Sequence, residues 1–245
     1  PLVVRYMASP NLVPWQYIFG RGLTIFIILN LYLYFEEGIK FWKNYLKIGK
    51  SGILGGSGLG IAMISFIYSI TNTTAAITLL CLAAMPFFTA LLAFIFLKEQ
   101  ISLNVWISIF IATIGIIIMA FGNTEQNSLV GFIFGITSSI GFSIFSVTLR
   151  WRKETPKFTT VALSGLFCFV VAAMFIISKD QVFFSSSYNG TLFSLHGVIV
   201  CFGLILYSIG SKAIPAAELT LLSLTEVLSL IHIRAHETTC HRVCR

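Results

Sequence analysis

Charge is what this chain has least of. Acidic and basic residues together make up 10% of its 245 residues, against 57% that are hydrophobic, where a soluble domain carries roughly a quarter charged. With a mean hydropathy of +0.91, such a chain cannot cover one core with a solvated surface, which excludes an ordinary soluble fold. Alternating polarity is missing as well. The stretch VWISIFIATIGIIIMAFG, from Val105 to Gly122, has no period of two, so a transmembrane barrel is excluded. No G-x-x-x-x-G-K-[ST] loop, no Ser/His/Asp set and no H-E-x-x-H occurs, so neither ATP-driven pumping nor hydrolysis has a basis, and no enzyme activity, cofactor or metal is expected. Cys81, Cys168 and Cys201 lie inside apolar runs, where cysteine behaves as a small hydrophobe; they form no disulfide framework. Linkers and low-complexity stretches are absent too. The formal charge of +7 is scattered between apolar runs rather than gathered on one surface, which excludes nucleic acid as a partner.

What is present is a series of apolar runs, each long enough to cross roughly 30 Å of hydrocarbon as a helix. Backbone groups in lipid have to be satisfied within the segment, so the fold class is all-α, a polytopic helical bundle whose first partner is the lipid bilayer. Seven spans are predicted, over 13 to 35, 51 to 71, 74 to 97, 103 to 121, 129 to 149, 158 to 177 and 194 to 211, and an eighth starts near Pro215. Alternate loops hold Lys40, Lys43, Lys47 and Lys50, then Lys98, then Arg150, Arg152, Lys153 and Lys157, then Lys212; the intervening loops carry only Arg5 and Lys179. Basic residues are retained on the cytoplasmic side, so loops 36–50 and 150–157 are expected there. Asn189-Gly190-Thr191 falls on the opposite side as a possible glycosylation sequon. The sequence does not say which membrane is involved.

An internal echo sets the architecture. YSITNTTAAITLLCL, from Tyr68 to Leu82, is matched in order by YSIGSKAIPAAELTLLSL, from Tyr207 to Leu224, and Arg5 with Ser9-Pro10 is matched by Arg150 with Thr155-Pro156. The offset covers five spans, an odd number, which turns the second copy upside down; secondary transporters are often built in this way. The expected units are residues 1–122 and 128–227, two inverted five-helix repeats with about eight of ten helices represented.

Three stretches carry a resemblance: FGRGL from Phe19 to Leu23, AAITLLCLAAMPFFTALLAFIFLKEQIS from Ala75 to Ser102, and PAAELTLLSLTEV from Pro215 to Val227. The middle one has an Ala-rich start, a mid-helix proline, a Leu-Leu-Ala stretch and a closing Leu97-Lys98-Glu99. In these features the chain resembles the EamA-like proteins of the drug/metabolite transporter superfamily, which have ten helices in two halves and move small metabolites. The resemblance implies transport of a small organic solute by alternating access, with a coupling proton or counter-substrate. A homo-oligomer is compatible with it. The competing reading is a membrane scaffold or subunit that transports nothing.

The resemblance also implies missing parts. PLVVRYMASP is expected to be the end of a helix that begins before Pro1. After Val227 the second copy gives way to LSLIHIRAHETTCHRVCR, in which His232, His236, Cys240 and Cys244 fall four apart on one helix face. Nitrogen and sulfur at that spacing suit zinc. However, LSLIHI is also the translation of CTGTCTCTTATACACATC, which resembles a transposon-end sequencing adapter, so 228–245 is expected to be a non-native tail and the metal face an accident. Lacking these parts, the 245-residue chain is not expected to transport by itself.

Ionisable residues within spans are expensive in lipid and mark candidate sites. Arg21, between Gly20 and Gly22, is the foremost: it either meets a substrate anion or bonds a neighbouring carbonyl. Glu226, on the face of Glu218, is a candidate to bind a cation or proton. Tyr68, Asn72, Tyr207 and Ser208 lie on the repeat-matched helices and are candidates to line a cavity between the halves. Pro86 removes a helical hydrogen bond and is a candidate hinge. His196 is read as an interface residue at the entrance of its span. Gly52, Gly56 and Gly60, and Gly131, Gly135 and Ser139, are read as close helix packing.

Overall fold

The computed structural model describes residues 14–99, 103–104, 106–107, 110–111, 114, 128–152, 155–184 and 186–223, and no strand occurs among them. The elements are α1 (Pro14–Glu37), a 3-10 turn (Gly38–Phe41), α2 (Trp42–Lys47), α3 (Gly49–Asn72), α4 (Ala75–Ala83), α5 (Met85–Leu92), a π-helical turn (Ala93–Leu97), α6 (Leu129–Trp151), α7 (Lys157–Ser178) and α8 (Ser187–Gly210); residues 216–223 are helical again. Among the described residues, six helical stretches are long and apolar enough to cross a membrane. They coincide with six of the predicted spans, and the protein is a polytopic helical bundle. Of the fourth predicted span, the described positions 103, 104, 106, 107, 110, 111 and 114 are helical; the rest lies outside the described residues, as do most of the expected eighth span and the whole tail.

Two connections are made by backbone chemistry. Gly38 and Gly49 have φ of +63° and +59°, a region that costs other residues a steric penalty, and they bracket the short turn and α2 that carry the chain from α1 into α3. The third span breaks where Pro86, in the first turn of α5, cannot donate a hydrogen bond. Around the break the chain is tied to α6: Ser139 Oγ donates to the Cys81 carbonyl at 2.5 Å and Ser143 Oγ to that of Met85 at 3.0 Å. The structure therefore puts Pro86 at a true break between α4 and α5.

Small residues set the packing, as expected where lipid removes the hydrophobic drive for helices to associate. A Cβ on Gly52 would meet Thr160, one on Gly56 Leu163 and one on Gly60 Phe167; the partners advance in step, so α3 and α7 run parallel. On another side of α3, Gly55 faces Thr148, Gly58 faces the Gly141 backbone and Ser69 faces Gly135, so α3 and α6 are antiparallel. The Ser139 and Ser143 bonds run in step along α4 and α5, which are parallel to α6. Trp15 stacks on Phe175 and Tyr32 meets Phe158, which makes α1 antiparallel to α7. Gly20 against Phe193 and Thr24 against Gly197 set α8 parallel to α1.

One contact is reciprocal. A Cβ on Gly22 would meet Cys168, the Gly165 carbonyl and the Phe169 amide, and one on Gly165 would meet Ile25, the Gly22 carbonyl and the Phe26 amide. Each of these residue pairs is related by the same shift along the chain, from Gly22 to Gly165, Ile25 to Cys168 and Phe26 to Phe169. The α3–α7 contact is likewise mirrored by the α8–α1 contact. Around this crossing lies the core, with Tyr17, Ile18, Ile25, Leu59, Met63, Phe145, Val161 and Phe193 buried together. Large apolar side chains such as Phe94, Met174 and Phe202 are exposed around the outside, where lipid would cover them.

The basic loops share one end of the bundle: Ser51 bonds Thr155 at 2.6 Å, Lys157 Nζ donates to Ser211 Oγ at 2.8 Å, and Arg150 Nε donates to Glu99 at 2.7 Å. One boundary differs from expectation. α8 begins at Ser187 rather than near 194, because Ser186 Oγ caps the Asn189 amide and the polar SYNGT turn continues the helix that follows. As a result Asn189 is buried, at 2% exposure, and is not presented as a glycosylation acceptor.

Gly141→Val should destabilise the fold by about 1–3 kcal/mol through overpacking, whereas Gly203→Ala, which faces open space, should be neutral. Thermal unfolding in detergent measures both, and equal effects would contradict the packing described.

Candidate functional site

Arg21 lies in the crossing region. It is 3% exposed, held in α1 between Gly20 and Gly22, whose lack of side chains brings α8 and α7 close. Its Nη2 donates to the Met63 carbonyl in α3 at 3.0 Å, while its buried Nε has no partner. The guanidinium stands 5.4 Å from the ring centroid of Tyr17, one helical turn back on the same face, within cation–π range. The Tyr17 hydroxyl in turn bonds His196 Nδ1 of α8, and the two rings stack at 5.6 Å. Thus α1, α3 and α8 each contribute to one polar cluster inside an apolar core. Among the described residues no group of His, Cys, Asp and Glu is arranged to hold a metal ion.

Of the other candidates, Ser208 is fully buried in α8 and its hydroxyl has no partner. Tyr207 bonds Ser146 at 2.7 Å and packs on Phe142 and Phe145, all in α6. Tyr68 packs between Trp15 and Phe134. Phe134 and Ser146 are twelve positions apart in α6, about 18 Å along a helix, so Tyr68 and Tyr207 lie toward opposite ends of the bundle rather than against each other. Asn72 is exposed and donates to the Tyr68 carbonyl of its own helix at 2.8 Å. Glu226 falls outside the described residues, and Glu218 is exposed.

Two features were not singled out from sequence. His196 sits within α8 and engages Tyr17; the late start assigned to its span disguised it as an interface residue. At the basic end, Arg150 ties three places together, donating to Glu99 at 2.7 Å and to the carbonyls of Ile214 at 2.5 Å and Ser211 at 3.4 Å. It thereby joins the end of the third span to the carbonyls that follow α8. Leu97-Lys98-Glu99 stood out as a motif, but nothing in the sequence pairs Glu99 with Arg150.

Residues 1–121 match the EamA-like transporter family. That match contains both the FGRGL stretch and the Ala75–Ser102 stretch, and the resemblance stands. Two relatives are similar over more of this chain. An uncharacterized transporter of Helicobacter pylori strain J99 / ATCC 700824 is 29% identical over 169 residues, 66% of this chain and 55% of the relative. Another, of strain ATCC 700392 / 26695, is 27% identical over 157 residues, 63% of this chain and 51% of the relative. The chain spans about half the length of the curated relatives it matches. Family and relatives are alike those of membrane transporters in general.

Because Arg150 serves two carbonyls besides Glu99, Arg150→Met should cost about 1.5–3 kcal/mol and Glu99→Gln less than about 1 kcal/mol, as for a partly exposed pair. Denaturant titration in mild detergent checks the order, and the reverse order would refute it.

Proposed function

We propose that the chain belongs to a secondary transporter that moves a small organic solute by alternating access, its two halves rocking about the Gly22–Gly165 crossing. The observation that carries this reading is the reciprocal contact at that crossing. Residues related by one sequence shift meet each other with exchanged roles, which is what two inverted copies around a pseudo-two-fold axis require. The sequence echo between Tyr68 and Tyr207 supports the same relation, and units of 1–122 and 128–227 follow from it. Energy comes from a gradient of an ion or counter-substrate, and no chemistry is performed on the solute.

The break at Pro86 and the tie between Glu99 and Arg150 give the motion its parts. Glu99 belongs to the first half and Arg150 to the second, so their bond closes the basic end. Opening that end exchanges the bond for water, a small cost for a pair already partly exposed. The basic end faces the cytoplasm, where retained positive charge is placed.

Two experiments test these statements on the full-length protein. Glu99→Cys with Arg150→Cys, bridged by a short reducible bifunctional thiol reagent, should lower solute uptake into proteoliposomes at least about tenfold, with recovery on reduction, if rocking is obligatory; undiminished flux in the bridged protein would rule rocking out. With every native cysteine other than the buried Cys81, Cys168 and Cys201 replaced by Ser, Lys47→Cys should react with a membrane-impermeant maleimide only in opened cells and Asp180→Cys in intact ones. The opposite pattern inverts the topology.

A further inference from the structure

We propose that the solute carries an oxyanion, a carboxylate or a phosphate, and that Arg21 is the residue that binds it. The inference rests on the transporter reading and adds the charge of the substrate to it. A guanidinium keeps its proton at every accessible pH and offers five N–H donors. Arg21 is 3% exposed, and its buried Nε is unpartnered while Nη2 reaches the Met63 carbonyl. A buried charge calls for a counter-charge, and within a bilayer the call is stronger. The described residues supply none: Glu36, Glu37, Asp180 and Glu218 are exposed, and Glu99 is paired with Arg150.

Position strengthens the argument. Arg21 adjoins Gly22, at the crossing of α1 with α7. The residue that the repeat shift sets opposite it in α7 is Ser164, buried and donating to the Val161 carbonyl of its own helix, so the crossing holds one positive charge with no matching one. Tyr17 and His196, already bonded to each other beside the guanidinium, line the cluster with polar atoms that a carboxylate or phosphate can use. A carbonyl ligand alone would not need a permanent cation, since a neutral amide donates to a carbonyl equally well.

The test is thermal unfolding of the purified full-length protein in detergent, with acetate, succinate, inorganic phosphate and a nucleoside monophosphate as probes and choline and L-lysine as controls. At least one anion should raise the Tm of the wild type saturably, as a ligand bound only to the folded state must, and the controls should not. Arg21→Gln should abolish the rise. Arg21→Lys, which keeps the charge but loses the planar fork, should shift half-saturation about tenfold upward; this variant decides the matter if Arg21→Gln does not fold. Failure of every anion to protect, or equal protection of wild type and both variants, overturns the proposal. Uptake assays separate it from the reading beneath it. A neutral or cationic solute carried equally well by wild type and Arg21→Gln removes the anion and leaves the transporter, whereas anion protection without flux of any solute removes the transporter and leaves the anion site.

Discussion

Two close backbone approaches, of Gly22 to Gly165 and of Gly58 to Gly141, hold this bundle together, and the remaining arrangement hangs on them. In lipid, apolar side chains gain little by leaving hydrocarbon for one another, so helices associate through close van der Waals contact and hydrogen bonds. A Cβ on Gly141 would lie 2.6 Å from the Gly58 carbonyl oxygen, too near for any other residue without displacement of a helix. Once α3 lies against α6 and α1 against α7 at these points, α8 and the broken third span have only the outer grooves to fill.

Hydrogen bonds then fix the register. One face of α6 carries Ser138, Ser139, Ser143 and Ser146, which reach Ala62 of α3, Cys81 of α4, Met85 of α5 and Tyr207 of α8 respectively. Four helices are thus tied to one by hydroxyls that also suit the narrow spacing. Against this background Arg21 is an anomaly. It is a permanent charge inside the apolar core, and its buried Nε has no partner.

Much of the fold was legible because lipid simplifies the code. Length and hydropathy alone place α1, α3, α6 and α7 within two residues of their predicted ends, and the glycines at 52, 56 and 60 announce a packed face. What they pack against was not legible, since a stripe of small residues names no partner. α8 was begun too late because polar Ser187 and Asn189 read as loop, although capping by Ser186 satisfies the helix start. That error hid His196, whose pairing with Tyr17 joins residues 179 positions apart and leaves no local trace. Arg21 was legible through the rarity of charge in a span; Tyr68 and Tyr207 stood out as matching positions, but their partners on α6 put them toward opposite ends of the bundle.

The break at Pro86 has a mechanical consequence. Each piece of the interrupted span is suspended from its own serine on α6, α4 through Ser139 and α5 through Ser143. The load is divided between two independent supports rather than borne by a continuous rod. The two pieces of that span are therefore held to α6 on either side of the break, each by a hydroxyl of its own.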